Sequence, residues 1–196
     1  MSEDCKTDCK KDSKLDSKSL LDKSKTLRLA RKDELSDDLL KEAIRLDSKL
    51  WIGNLENMQL IKALNLDSTK PIKITMSGSA MLHVLKQHGA DSKHAQFRGQ
   101  PPIDLNDFKT IDLIINDAEM FAITRTRDNQ KAITLGKQIN GYHIVVVVIS
   151  NKKNELSLKT QYKENGILNV DSKAFQNAEG VVSLKSRYPC RFKDRE

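Results

Sequence analysis

The stretch Tyr142-His143-Ile144-Val145-Val146-Val147-Val148-Ile149-Ser150 decides the fold class of this chain. Its six central residues, Ile144 to Ile149, are all branched aliphatics, and such a run reads as a strand covered on both faces. It is far too short to cross a bilayer, which takes about 18 to 20 apolar residues. The pattern stays strand-like around it, over Met120 to Arg125, Ala132 to Lys137 and Glu155 to Tyr162. The connections hold Asp128-Asn129, Asn140-Gly141 and Asn151 to Asn154, short turn-forming sequences that imply hairpins and antiparallel neighbours.

Upstream the texture is helical. Ser36 with Asp37 and Asp38 offers an N-cap and first-turn acids, and Leu39, Leu40, Ala43, Ile44 and Leu50 recur at helical spacing until Gly53-Asn54 breaks it. Met58, Leu60, Ile61 and Leu64 predict a second short helix ending near Asn65. After Pro71, Ile72 to Thr75 alternates like a short strand. Ser77 caps a helix from Ala80 to His88, stopped by Gly89. A loop is expected as far as Pro101-Pro102, then a helix opened by Asp104 or Asn106 and closed near Asn116-Asp117. Helices followed by a strand meander give an α+β fold, with N-terminal helices on a curved, mainly antiparallel sheet. The organisation expected is a flexible basic leader over 1–32, a helical subdomain over 33–70, a main domain over 71–180 and a basic C-terminal segment over 181–196.

One such domain accounts for most of the 196 residues, and 38% apolar with 31% charged residues still allows a single core. The net charge of +7 is uneven: +4 over 1–32, −3 over 33–70, +3 over 71–180 and +3 over 181–196. Such basicity suits phosphate neutralisation, and it equally suits plain solubility. No apolar signal-like stretch opens the chain, so neither a membrane role nor conventional secretion is expected. Cys5, Cys9 and Cys190 are an odd set without neighbouring ligands, which points to reducing surroundings rather than a disulfide framework or a zinc site.

Three places carry residue types suited to chemistry. His88 falls on the apolar face of the Ser77–Gly89 helix beside Met81 and Leu85, while His83 points about 140° away, so the two cannot chelate one metal. A histidine at a helix C-terminus is expected to favour the imidazolium, because the last carbonyls are partly negative. Along Leu156 to Lys163, alternation puts Lys159, Gln161 and Lys163 on one face and Leu158, Thr160 and Tyr162 on the other. Thr160 and Tyr162 then suit a phosphate or base, or an ordinary half-buried sheet. Arg98 offers a paired N–H clamp for phosphate from a loop, or is simply a surface arginine.

The series Met81 to Gly89, then Phe97-Arg98-Gly99-Gln100, then Ile103 to Phe108 with Ile111, resembles the phage-associated barnase–EndoU–colicin–RelE-like nuclease group. The likeness continues through Ile139-Asn140-Gly141-Tyr142 into Leu158 to Tyr162, and spans residues 72–180 in order. It implies helices on a curved antiparallel sheet and metal-independent RNA cleavage with no cofactor. Catalytic positions carried over are His88, or else His83, with Arg98, Lys159, Thr160 and Tyr162. Members often have an acid shortly before the loop arginine, whereas this chain has Lys93-His94-Ala95-Gln96 there. The resemblance further implies a toxin or effector acting on structured RNA, tRNA foremost, in the cytoplasm, and an acidic antitoxin or immunity protein to restrain it. The competing expectation is a non-catalytic RNA- or protein-binding module on the same fold. A further one makes the acidic 33–70 segment a lid or docking surface.

Overall fold

The computed structural model describes residues 20–21, 27–126, 128–176, 178 and 180–184. Its strands are β1 (Lys49–Asn54), β2 (Lys73–Ser77), β3 (Met120–Arg125), β4 (Lys131–Gln138), β5 (Tyr142–Ser150), β6 (Glu155–Glu164) and β7 (Val181–Ser183). They form one sheet in the order β1-β2-β6-β5-β4-β3-β7. β3 to β6 are the expected antiparallel meander, and β1 and β7 also pair antiparallel at the edges. The β2–β6 pair is parallel, which makes the sheet mixed. The helices are α1 (Asp37–Leu46), α2 (Met58–Leu64), α3 (Gly78–His88), α4 (Lys93–Arg98), α5 (Leu105–Phe108) and α6 (Ile111–Asn116). The architecture is α+β, as the sequence predicts. Among the described residues no helix is long and apolar enough to cross a membrane.

The aliphatic run is covered on both sides. Val145 and Val147 are fully buried in a core shared with Leu40, Phe108, Ile114 and Ile115 of the helices. Ile144 faces the other way, with Met120, Ala122 and Tyr142, under the returning segment that carries Leu168 and Phe175. Val146 and Val148 are only partly buried, because that cover stops short.

Four local expectations are corrected. The first helix does not run to Leu50. It ends at Leu46, where Asp47 takes a left-handed conformation (φ 45°) and its carboxylate accepts the Ser79 N–H at 2.6 Å. Residues 49–54 are strand β1, and Leu40, Ala43, Leu50 and Leu60 of the 33–70 segment lie in the same core as Ile74 and Leu156. Second, the loop expected before Pro101 contains α4, capped by Ser92 Oγ on the Ala95 N–H at 3.1 Å.

The helix expected from Asp104 to Asn116 is split in two. Thr110 Oγ1 and Gln161 Nε2 both donate to the Asp107 carbonyl, so side chains occupy the acceptor a continuous helix would use. Finally, β6 carries a bulge: Leu158 pairs with Val147 and Thr160 with Val146, leaving Lys159 as the extra residue. One inserted residue reverses the alternation. Leu158 therefore shares a face with Gln161 and Lys163, and Thr160 and Tyr162 occupy the other.

Residues 1–19 and 22–26 of the expected leader lie outside the described residues. Its end is built in, since Leu29 bridges Trp51 and the Ala30 N–H donates to the Trp51 carbonyl at 2.8 Å. At the far end β7 pairs with β3, and 185–196 lie outside the described residues, as do Cys5, Cys9 and Cys190.

Candidate active site

The site is assembled where α3 ends against β6. Ser77 caps α3 through its Oγ on the Ala80 N–H, and β6 continues past the last residue paired with β2. Met81 and Val84 anchor the helix in the core, which brings His88 to Tyr162. The two rings lie 5.2 Å apart, stacked at 27°. After α4, Gly99 adopts φ +64°, a left-handed cap that glycine takes without penalty, and the chain turns inward to bury Gln100 at 7% exposure.

Gln100 Nε2 donates to Glu164 Oε1 at 2.9 Å. A carboxylate only accepts, so the amide oxygen is the atom turned toward His88 Nδ1, also at 2.9 Å. The imidazole must then carry its proton on Nδ1, which leaves Nε2 as the basic nitrogen, without a partner among the described residues. This Glu164–Gln100–His88 chain supplies the carboxylate that Lys93 to Gln96 lack, from a strand rather than from the loop.

The expected imidazolium is corrected as well. Burial depresses the His88 pKa below 6.5; the Gln100 bond and Glu164 oppose this, while His94 and His83 add to it. His88 is thus a neutral base near pH 7. Tyr162 is pushed far up by burial, so it stays a neutral phenol.

His94 is the residue that the sequence reading passed over. Its ring lies 5.4 Å from His88 at 44°. Arg98, one helical turn on, approaches His94 Nδ1 through Nη1 at 3.5 Å, the outer limit of a hydrogen bond. An arginine N–H on Nδ1 favours the His94 tautomer protonated on Nε2, the reverse of His88. The clue available in the sequence is that three of the four histidines fall within residues 83–94.

The structure brings together His88, Tyr162 and, through His94, Arg98. His83 is exposed on another face of α3, close enough for its charge to be felt at His88. Lys159 is not in the cluster: from the bulge its ammonium reaches Asp128 at 3.6 Å, in the β3–β4 turn at the other end of the sheet. Thr160 shares a face with Tyr162, but its Oγ1 is buried and has no partner among the described residues.

Behind the site, Lys163 pairs with Asp107 at 2.8 Å, and Gln161, fully buried, ties β6 to the Asp107 carbonyl at 3.2 Å. His143 lies opposite Lys163 and is depressed below 6.5 by burial, against the pull of Asp107. These contacts hold the C-terminal half of β6, and Tyr162 with it, against α5.

Neither the curated proteins nor the solved structures contain a significant match to the chain. A family model does match, over residues 50–170, which takes in β1 from its second residue, β2 through β6, both imidazoles, Gln100, Tyr162 and Glu164. That span is more than half of the sequence and is a nuclease family, in keeping with a basic α+β chain that sets two imidazoles side by side. The chain belongs to the phage-Barnase-EndoU-ColicinE5/D-RelE like nuclease3 family.

Proposed function

We propose that this nuclease is a metal-independent endoribonuclease of the toxin or effector type, cutting structured RNA, tRNA foremost, in the cytoplasm. The observation that supports it best is the Glu164–Gln100–His88 chain, which ends in an unencumbered basic Nε2 beside a second imidazole. In this reading His88 Nε2 takes the proton of a ribose 2′-hydroxyl. The 2′-oxygen attacks the adjacent phosphorus, and the bond to the 5′-oxygen breaks as the proton taken up by His88 is passed to it, while His94 Nε2–H donates a hydrogen bond to a non-bridging oxygen. The products are a 2′,3′-cyclic phosphate and a 5′-hydroxyl. Arg98, exposed beside His94, neutralises charge developing on the non-bridging oxygens. Tyr162, a neutral phenol stacked on His88, holds the ring in plane. His83, Lys159 and Thr160 lie outside the reacting cluster.

An enzyme of this kind harms its producer, and an acidic neutralising protein that covers the His88–Arg98 face is the expected partner. The test is incubation with total tRNA in EDTA. Discrete fragments with cyclic-phosphate ends are expected. Cleavage only with added divalent metal, leaving 5′-phosphates, would overturn the mechanism.

A further inference from the structure

Phe97 is 80% exposed, an extreme position for a phenyl ring in a chain with only five phenylalanines. It sits on α4 three residues after His94 and next to Arg98, and residues three apart on a helix are surface neighbours. An aromatic series therefore runs outward from the core: Tyr162 stacked on His88, His88 beside His94, and Phe97 one step further, open to solvent. The platform is braced, because Asn165 Nδ2 donates to the Gly99 carbonyl at 3.0 Å and ties the end of α4 to the segment after β6. The charge carried by α4 is positive, from Arg98 and Lys93, and the carboxylate that reaches its end, Glu164, accepts from Gln100 Nε2 on the inner side of the loop.

A bare aromatic face next to a cation and at the edge of two imidazoles suits one occupant, an unpaired nucleobase whose phosphate lies on Arg98. We propose that Phe97 is the base-stacking residue of the substrate site, so that the RNA is bound at an unpaired nucleotide, in a loop or bulge, next to the bond to be cut. This rests on the nuclease reading given above. Stacking on an aromatic face is sequence-tolerant, so Phe97 selects single-strandedness and not a particular base.

The test measures two things on the full chain and on Phe97→Ala, Phe97→Trp and Phe97→Leu. The first is KM and kcat for cleavage of a tRNA loop hairpin. The second is the affinity for a short, single-stranded, 2′-O-methylated oligoribonucleotide, which lacks the attacking hydroxyl. Phe97→Ala and Phe97→Leu are expected to raise KM and weaken the oligonucleotide about tenfold, with kcat within about twofold, and Phe97→Trp to restore both. Because the ring is exposed, all three variants fold. If the wild type cleaves and Phe97→Ala has the same KM and affinity, the stacking role is refuted while the nuclease reading stands. If nothing is cleaved but Phe97→Ala still loses the oligonucleotide and Phe97→Trp recovers it, the platform stands and catalysis falls. A wild type that neither cuts nor binds overturns both. A change in oligomeric state in Phe97→Ala, with RNA affinity unchanged, would make this ring a contact between copies and also refute the proposal.

Discussion

Replacing Gln100 by leucine removes the one group that connects His88 to Glu164 while keeping a similar volume at a buried position. The bond to Nδ1–H is what favours the tautomer with a basic Nε2. A buried hydrogen bond of this kind is worth about 1 kcal/mol net, so its loss removes about that much bias toward the competent tautomer and lets the ring turn. At 1.4 kcal/mol per factor of ten, kcat is expected to fall about five- to tenfold. KM should hold, since the amide lies behind the imidazole. The pH profile gives a signed readout. The Gln100 bond raises the His88 pKa against the larger effect of burial, so removing it moves the acidic limb of kcat/KM to lower pH. Gln100→Glu, which places an anion on Nδ1, moves the same limb to higher pH. The assay is steady-state cleavage of a fluorogenic RNA between pH 4.5 and 8.5, with chemical denaturation to confirm folding. An unchanged kcat and limb in Gln100→Leu, or limbs displaced in the opposite senses, would refute the relay.

His88 and His143 are both depressed below 6.5 by burial, so the unfolded chain binds more protons just below that pH. Unfolding free energy is expected to fall as the pH drops from 7 through the low 6 range, before any carboxylate titrates; a urea midpoint that stays flat from pH 7 to 5 would contradict this. Lys163→Met leaves Asp107 buried without its cation and should cost about 3 kcal/mol in denaturant unfolding, more than the double variant with Asp107→Asn costs beyond Asp107→Asn alone. Gly78→Ala drives a methyl into the Ala43 carbonyl where α1 and α3 meet, so it should lower the thermal midpoint by several degrees although alanine is the better helix former. A neutral or stabilising result there would mean the two helices are not in close contact.

The meander was legible because its signals are local. The aliphatic run Ile144–Ile149 and the turns at Asn140-Gly141 and Asn151 to Asn154 each specify structure without distant partners, and the strands fall within a residue or two of expectation. Strand β1 was not, because Leu39 to Leu50 keeps a helical spacing and only the left-handed Asp47, locked onto Ser79, ends it. The bulge at Lys159 carries no sequence mark at all: its position is set by pairing with β5, and it alone decides which face Thr160 and Tyr162 occupy. His88 was visible from helical spacing, but its protonation was misjudged because desolvation depends on Tyr162 and Gln100, which arrive from other elements. His94 joins the site only through tertiary contact, and so does Glu164, the carboxylate that residues 93–96 do not provide.

The central claim is that His88 is the base of RNA cleavage. The most direct measurement is single-turnover cleavage of tRNA in EDTA by the wild type and by His88→Ala, with tRNA affinity and thermal midpoint measured on the same samples. The account predicts 2′,3′-cyclic-phosphate fragments from the wild type, and a loss of at least about a hundredfold in rate for His88→Ala with affinity retained. Equal rates in the two proteins would contradict it, and so would binding without cleavage by the wild type, which would mark the chain as a binding module on a nuclease fold.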